Sequence, residues 1–295
     1  MNETPLWVTI LKRTAVIVSM AIAFFPIYWL ISTSFKPFDE WASWPPVWLT
    51  DAPTLQNYRI VFFPEAARAF AAAQQGSLDY KVSGSAWQAF QGSAIISTFA
   101  TFFSVLFGTL AAYSIVRFRT GGENYPFQFL TVRMIPPIAV VVPMVVLFSI
   151  LRLSDTYFGM ILAYTAFTLP FSIWMIRSFI EEVPSELEGA AMVHGMSQFR
   201  AFLTVTLPLI KGGVLATALF IFILNWSEFL FALVLTAGDV ITVTLQVANY
   251  VSASSGKLYG VQAAMGTIST LPVILFGYVI QRHLVRGLTF GAIKR

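Results

Sequence analysis

Long apolar stretches separated by shorter polar ones set the pattern of this chain. Several charge-free windows reach the ~20 residues that a helix needs to cross a bilayer. Six spans are predicted: within Thr14–Phe35, Ser93–Val116, Met134–Leu151, Thr156–Ile176, Gly212–Leu235 and within Leu258–Gln281. The third is short and carries Pro136, Pro137 and Pro143, which are read as packing features in preference to a path-lining kink. No small-residue cleavage site follows the first span, so it is expected to be a retained anchor. The expected divisions are 1–36 (first segment and span), 37–90 (outer loop), 91–282 (helical core with a loop at 181–211) and 283–295 (tail). No internal repeat or low-complexity tract is visible.

Six spans put both termini on one side, and the distribution of basic residues assigns that side. With the N-terminus inside, the inner segments hold Lys12, Arg13, Arg117, Arg119, Arg133, Arg177, Arg200, Lys211, Arg282, Arg286, Lys294 and Arg295. These are twelve of the 18 basic residues. Of the other six, Lys36, Arg59, Arg68 and Lys81 share the one long outer loop, and long loops weigh little. Loop 181–211 is therefore expected in the cytoplasm. The outer loop carries Trp41, Trp44 and Trp48, which serve either as interface anchors or as the loop's own core.

Composition agrees with the pattern. Hydrophobic residues make up 57% and charged residues 11%, against roughly 25% charged in soluble domains. The absence of cysteine excludes disulfides, thiolate metal sites and a cysteine nucleophile. The net charge of +4 is dispersed near span ends, which argues against nucleic-acid binding. His194 and His283 are the only histidines, and no metal-binding or phosphate-loop motif is present.

The loop between the fourth and fifth spans is the most specific segment. Ser185 and Glu188 have the spacing of a capping box, and Gly195 is a natural helix stop, so a helix is predicted over about 186–194. A helix this short is marginal alone and calls for a partner surface. Ala190 and Ala191 let another backbone approach closely. Ser197 reads as a second N-cap, opening a helix that ends near Leu207-Pro208. A plain interfacial helix–turn–helix is the alternative on local features alone.

Ala190, Ala191, Gly195, Val205, Leu207 and Pro208 match the spacing of the "EAA" loop, written E-A-A, three residues, G, nine residues, I, one residue, L-P. The chain thus resembles the permease subunits of binding-protein-dependent ABC importers. It departs from the motif at Gly189, where the glutamate is expected, with Glu188 one residue earlier. His194 stands where sugar permeases often carry aspartate. Pro26-Ile27-Tyr28-Trp29 with Ser34-Phe35-Lys36, Asn225 through Ala232, and Gly287 through Lys294 also look like segments of carbohydrate-uptake permeases, similar to the smaller maltose-type subunit.

That resemblance implies an all-α membrane fold with six transmembrane helices, the type I ABC importer permease fold, and cytoplasmic termini. It implies a bacterial inner-membrane location and a second homologous permease. It also implies a homodimer of ABC ATPases carrying the ATP and Mg, and a periplasmic solute-binding protein. No cofactor is expected on this chain, which would do no chemistry itself. The coupling surface implied is Ser185, Glu188, Gly189, Ala190, Ala191, Val193, His194, Gly195, Leu207 and Pro208. The solute implied is a carbohydrate, an oligosaccharide or polyol; the long outer loop points to a bulky one, with an acidic saccharide such as alginate as a guess.

Glu228 is the only acid inside an apolar window, and buried carboxylates in a membrane face protein or water-filled paths. Two readings stand: a translocation-path or subunit contact shared with Asn225 and Ser227, or a satisfied structural hydrogen bond. Asn225, three residues earlier, is expected on the same helix face. Two rival functions follow. An ion-coupled secondary transporter would use Glu228, and an intramembrane enzyme would need paired titratable groups that the spans lack.

Overall fold

The computed structural model describes residues 6–73, 85–122, 128–129, 131, 134–252 and 256–291. Arg133, Lys81, and the end of the expected tail at 292–295 lie outside the described residues. Among the described residues the regular elements are helices, apart from a two-residue antiparallel ladder pairing Val251 with Lys257 and Ser252 with Gly256. It divides into two compact units, residues 1–86 with 246–270 and residues 87–245 with 271–295.

The first unit contains α1 (Leu6–Ser34), α2 (Gln56–Phe62) and α3 (Pro64–Ala73). The apolar window of α1 buries nothing within the chain, as expected of a helix solvated by a bilayer. Its exit is tied down by polar contacts. The Asn57 amide donates to the Ser34 and Lys36 carbonyls, both at 2.9 Å, and the Ser34 hydroxyl meets the Tyr58 hydroxyl at 2.8 Å. The Lys36 ammonium sits 3.8 Å from the centre of the Trp29 ring. Trp41 is buried against Phe38 and Phe70 and donates to the Lys36 carbonyl at 3.0 Å. The tryptophans thus divide: Trp41 forms loop core, whereas Trp44 is 91% exposed.

The second unit is a helical bundle. It holds α4 (Ala86–Phe118), α5 (Pro137–Ile150), α6 (Tyr157–Glu181), α7 (Ser185–Val193), α8 (Gln198–Trp226) and α9 (Leu230–Leu235). The linking helix α10 (Val243–Asn249) follows, and the C-terminal helix α11 (Tyr259–Gly291) ends in this unit. Small polar residues let α4 and α6 approach. The Ser104 hydroxyl meets that of Thr168 at 2.8 Å, and a Cβ on Gly108 would fall 2.3 Å from the Ser172 hydroxyl. Such contacts are the usual glue between membrane helices, where apolar burial drives little. At the far end of α4, Ala112, Tyr113, Ile176, Ile180, Val183, Phe202 and Ile210 form an apolar cluster under α7.

Two expected spans differ. The third is only 14 residues, Pro137–Ile150, because Pro136 and Pro137 open it; at 1.5 Å per residue it covers about 21 Å. The fifth is not continuous: α8 stops at Trp226 and α9 starts at Leu230. Among the described residues, five helices have the length and apolarity to cross a membrane, α5 being the shorter sixth.

Asp155, in the turn between α5 and α6, fastens the segment after α9. Its carboxylate accepts from the backbone N–H groups of Asp239 and Val240, both at 3.0 Å. Burial pushes this carboxyl up, but the backbone donors outweigh it and hold it below the usual range.

Candidate functional site

The predicted capping box does not form. Pro184 occupies the N-cap position of α7 without a side-chain bond, and Ser185 is the first helical residue and exposed. Glu188 does not reach back; it turns into the bundle and is 2% exposed. The reason is the richer set of donors inside. The Tyr113 hydroxyl donates to Glu188 Oε2 at 2.8 Å, Arg117 Nε donates to Oε1 at 2.9 Å, and the Thr206 hydroxyl donates to Oε1. Gln198 Nε2 adds a longer contact at 3.4 Å. Burial raises the Glu188 carboxyl, but Thr206, Tyr113 and Arg117 together lower it below the usual glutamate range. A depressed value means the carboxylate stays charged at neutral pH and is neutralised only as pH falls through that lowered value.

The C-terminus of α7 closes as predicted. Gly195 adopts φ +86, its N–H donates to the Met192 carbonyl at 2.9 Å, and the Met196 N–H donates to Ala191 at 3.2 Å. This pair of bonds is a Schellman motif, which needs a left-handed residue where Gly195 stands. Ser197 then caps α8 by accepting from the Arg200 N–H at 3.4 Å.

The second helix does not end at Leu207-Pro208. It runs on to Trp226 through a π-turn at Phe202–Thr206, where the Leu207 N–H donates to the Phe202 carbonyl. Pro208 has no N–H to give, and the widened turn just before it lets the helix pass. Leu207 packs half-buried on the cluster under α7, and Pro208 is exposed.

The outward surface of α7 is unusual. Glu188, a charged residue, is the one side chain it buries, while Leu187, Met192 and Val193 are exposed, Val193 at 86%. Ala190 and His194 are exposed as well, and Gly189 and Ala191 are half-buried. A Cβ on Gly189 would meet nothing within 4 Å. Phe199 and Leu203, at 61% and 43% exposure, extend the apolar surface onto the start of α8. A soluble surface helix shows the opposite arrangement.

The second predicted group is not brought together. Asn225 is buried and its amide donates to the Thr101 hydroxyl at 3.2 Å. Ser227 is exposed past the end of α8. The Glu228 carboxylate folds over the start of α9, accepting from Phe231 N–H at 3.0 Å and, at a longer 3.4 Å, from Ala232 N–H. The shared face fails because the helix breaks between the two residues. Arg117, Tyr113, Thr206 and Gln198 were missed by sequence reasoning. In sequence, Arg117 reads only as an inner positive charge at a span end, and that charge is the available signal for a partner to a nearby acid. Among the described residues, no group of three or more His, Cys, Asp or Glu is placed to hold a metal.

The family described as binding-protein-dependent transport system inner membrane component matches residues 104–290. A probable ABC transporter permease protein of Sinorhizobium fredii is 33% identical over 92% of this chain and 90% of its own length. The trehalose transport system permease protein SugB of Mycobacterium tuberculosis is 32% identical, covering 92% of this chain and 93% of that one. Among solved structures, a chain of a bacterial ABC transporter involved in the import of the acidic polysaccharide alginate aligns with a TM-score of 0.74 at 19% identity, over 96% of this chain and 99% of that one. At that identity the last likeness speaks for the fold.

Proposed function

Since this chain belongs to the binding-protein-dependent transport system inner membrane components, we propose that it is the membrane-spanning permease subunit of an ATP-driven importer for a carbohydrate delivered by a separate binding protein. It is a multi-pass protein of the inner membrane. A second permease, a pair of ATPases and the binding protein complete the assembly in this reading, and ATP with its Mg belongs to the ATPases. The solute class is supported by the trehalose system named for SugB.

One observation carries the reading: α7 presents apolar side chains outward and buries a carboxylate inward. Water would not favour that arrangement, whereas a hydrophobic cleft on another subunit would. Docked there, α7 moves when the ATPases close, and the spans switch between inward and outward opening. The solute passes between the two permeases.

The test is a cysteine at Val193, in a chain with no other cysteine. A thiol-to-amine cross-linker should join it to the ATPase in the purified complex, and a cysteine at Trp44 should not be joined. A Val193 cysteine that cross-links nothing in an ATPase-containing complex would end the docking reading. The ion-coupled alternative is weakened by the engagement of Glu228 with the amides of α9, which leaves its carboxylate a structural task.

A further inference from the structure

We propose that Glu188 is the strut through which movement of α7 is delivered to α4 and α8, an inference that rests on the docking reading above. Its carboxylate joins three pieces of chain. Tyr113 and Arg117 lie in the last turns of α4, and Gln198 and Thr206 lie at the start of α8. Arg117 also donates through Nη2 to the Val183 carbonyl at 2.9 Å, fixing the residue before Pro184. Gln198 donates to the Tyr113 hydroxyl at 3.0 Å, and the Tyr113 ring packs on Phe202 with centroids 4.4 Å apart. The strut therefore meets the π-turn at both ends, at Phe202 through Tyr113 and at Thr206 directly.

The energetics favour a directional role over a stabilising one. A buried ion pair returns little net stability against apolar replacements, because desolvation offsets the attraction. Hydrogen bonds to both carboxylate oxygens do fix orientation, in a way that apolar contact does not. α7 offers no buried apolar side chain of its own, so no other buried side chain resists its rotation. A helix pushed from outside would roll or slide on the cluster beneath it without this anchor. With it, α7, the end of α4 and the head of α8 move as one body. Gly189 stands next to the strut with open space beside it, so the neighbouring position adds no second hold.

The test measures whether that body stays rigid during the ATP cycle, and it needs no solute. Spin labels at Glu186 and Arg119, both exposed, report the separation between α7 and the end of α4. In the purified complex in nanodiscs, the parent distance distribution should be the same without nucleotide and with ATP plus vanadate. The double variant Glu188→Gln with Arg117→Gln removes both charges and leaves no orphan ion. Its distribution should shift or broaden when ATP and vanadate are added. A variant distribution that matches the parent in both states overturns the proposal. If the double variant does not insert, Tyr113→Phe and Thr206→Val each remove one donor and keep the packing. A nucleotide-dependent change in either supports the strut, and none in both overturns it. A stability role alone would alter both nucleotide states equally. The Val193 cross-link, run in parallel, separates the two failures: cross-linking with no change in rigidity sinks the strut and leaves docking intact.

Discussion

Glu228 lies in the gap between α8 and α9, and its carboxylate takes up amides that the first turn of α9 leaves unpaired. Its own carbonyl accepts from the Thr244 hydroxyl at 2.6 Å, so the gap is held from both sides. Acceptance, not charge, is what this position requires. Glu228→Gln keeps an acceptor and should leave the thermal midpoint of the purified complex close to the parent. Glu228→Leu removes it and should cost about 0.5–2 kcal/mol, the range for losing a helix cap, seen as a lowered midpoint. Loss of uptake in Glu228→Gln at an unchanged midpoint would restore the ion-site reading. At this scale the sequence reveals where an expensive residue sits and not what it faces. Glu228 stands out in sequence as an acid among apolar neighbours, yet a carboxylate capping the next helix looks identical in sequence to one lining a path. Glu188 shows the same limit: its spacing from Ser185 satisfied a local capping rule, and donors more than seventy residues away along the chain won.

At the scale of elements, periodicity and stop signals placed α7 within a residue at each end, because its limits are local: Pro184 before it and Gly195 after it. Breaks inside apolar windows were less legible. The end of α8 at Trp226 has no Pro or Gly to mark it, and Pro208 suggested an end that the π-turn bypasses. Gly195 is the element's most exacting position. At φ +86 it can be replaced by valine only at a strain of roughly 1–2 kcal/mol, since a β-branched side chain disfavours the left-handed region. Open space surrounds its Cβ position, so the effect isolates backbone conformation from crowding. Gly195→Val should therefore insert normally yet misdirect the exit from α7, and the yield of the Val193 cross-link to the ATPase should fall. Gly195→Asn, which tolerates the left-handed region better, should recover much of it. Equal cross-linking in all three proteins would show that the exit geometry does not matter for docking.

At the scale of the whole molecule, what the chain exposes depends on which side of the membrane each surface meets. Among the described residues, five long apolar helices and the short α5 agree with six crossings, an even number that returns the chain to its starting side. The excess of arginine and lysine in the short segments around α7 then points that side to the cytoplasm. Trp44 and Val193 are well suited to test this: at 91% and 86% exposure, both are open to a reagent. They lie an odd number of crossings apart, so opposite sides are required if each predicted span truly crosses. In spheroplasts, a membrane-impermeant maleimide should label a cysteine at Trp44 and spare one at Val193. In inverted vesicles stripped of peripheral proteins the pattern should reverse. Labelling of both positions from one side would mean that an odd number of the crossings between them fails, with the 14-residue α5 the first suspect. Labelling of Val193 from outside alone would invert the whole chain, and with it α7 would be out of reach of any cytoplasmic ATPase. The docking reading and the strut both depend on this outcome, since an apolar helix with a clamped carboxylate transmits movement only if the subunit that drives it lies on the same side.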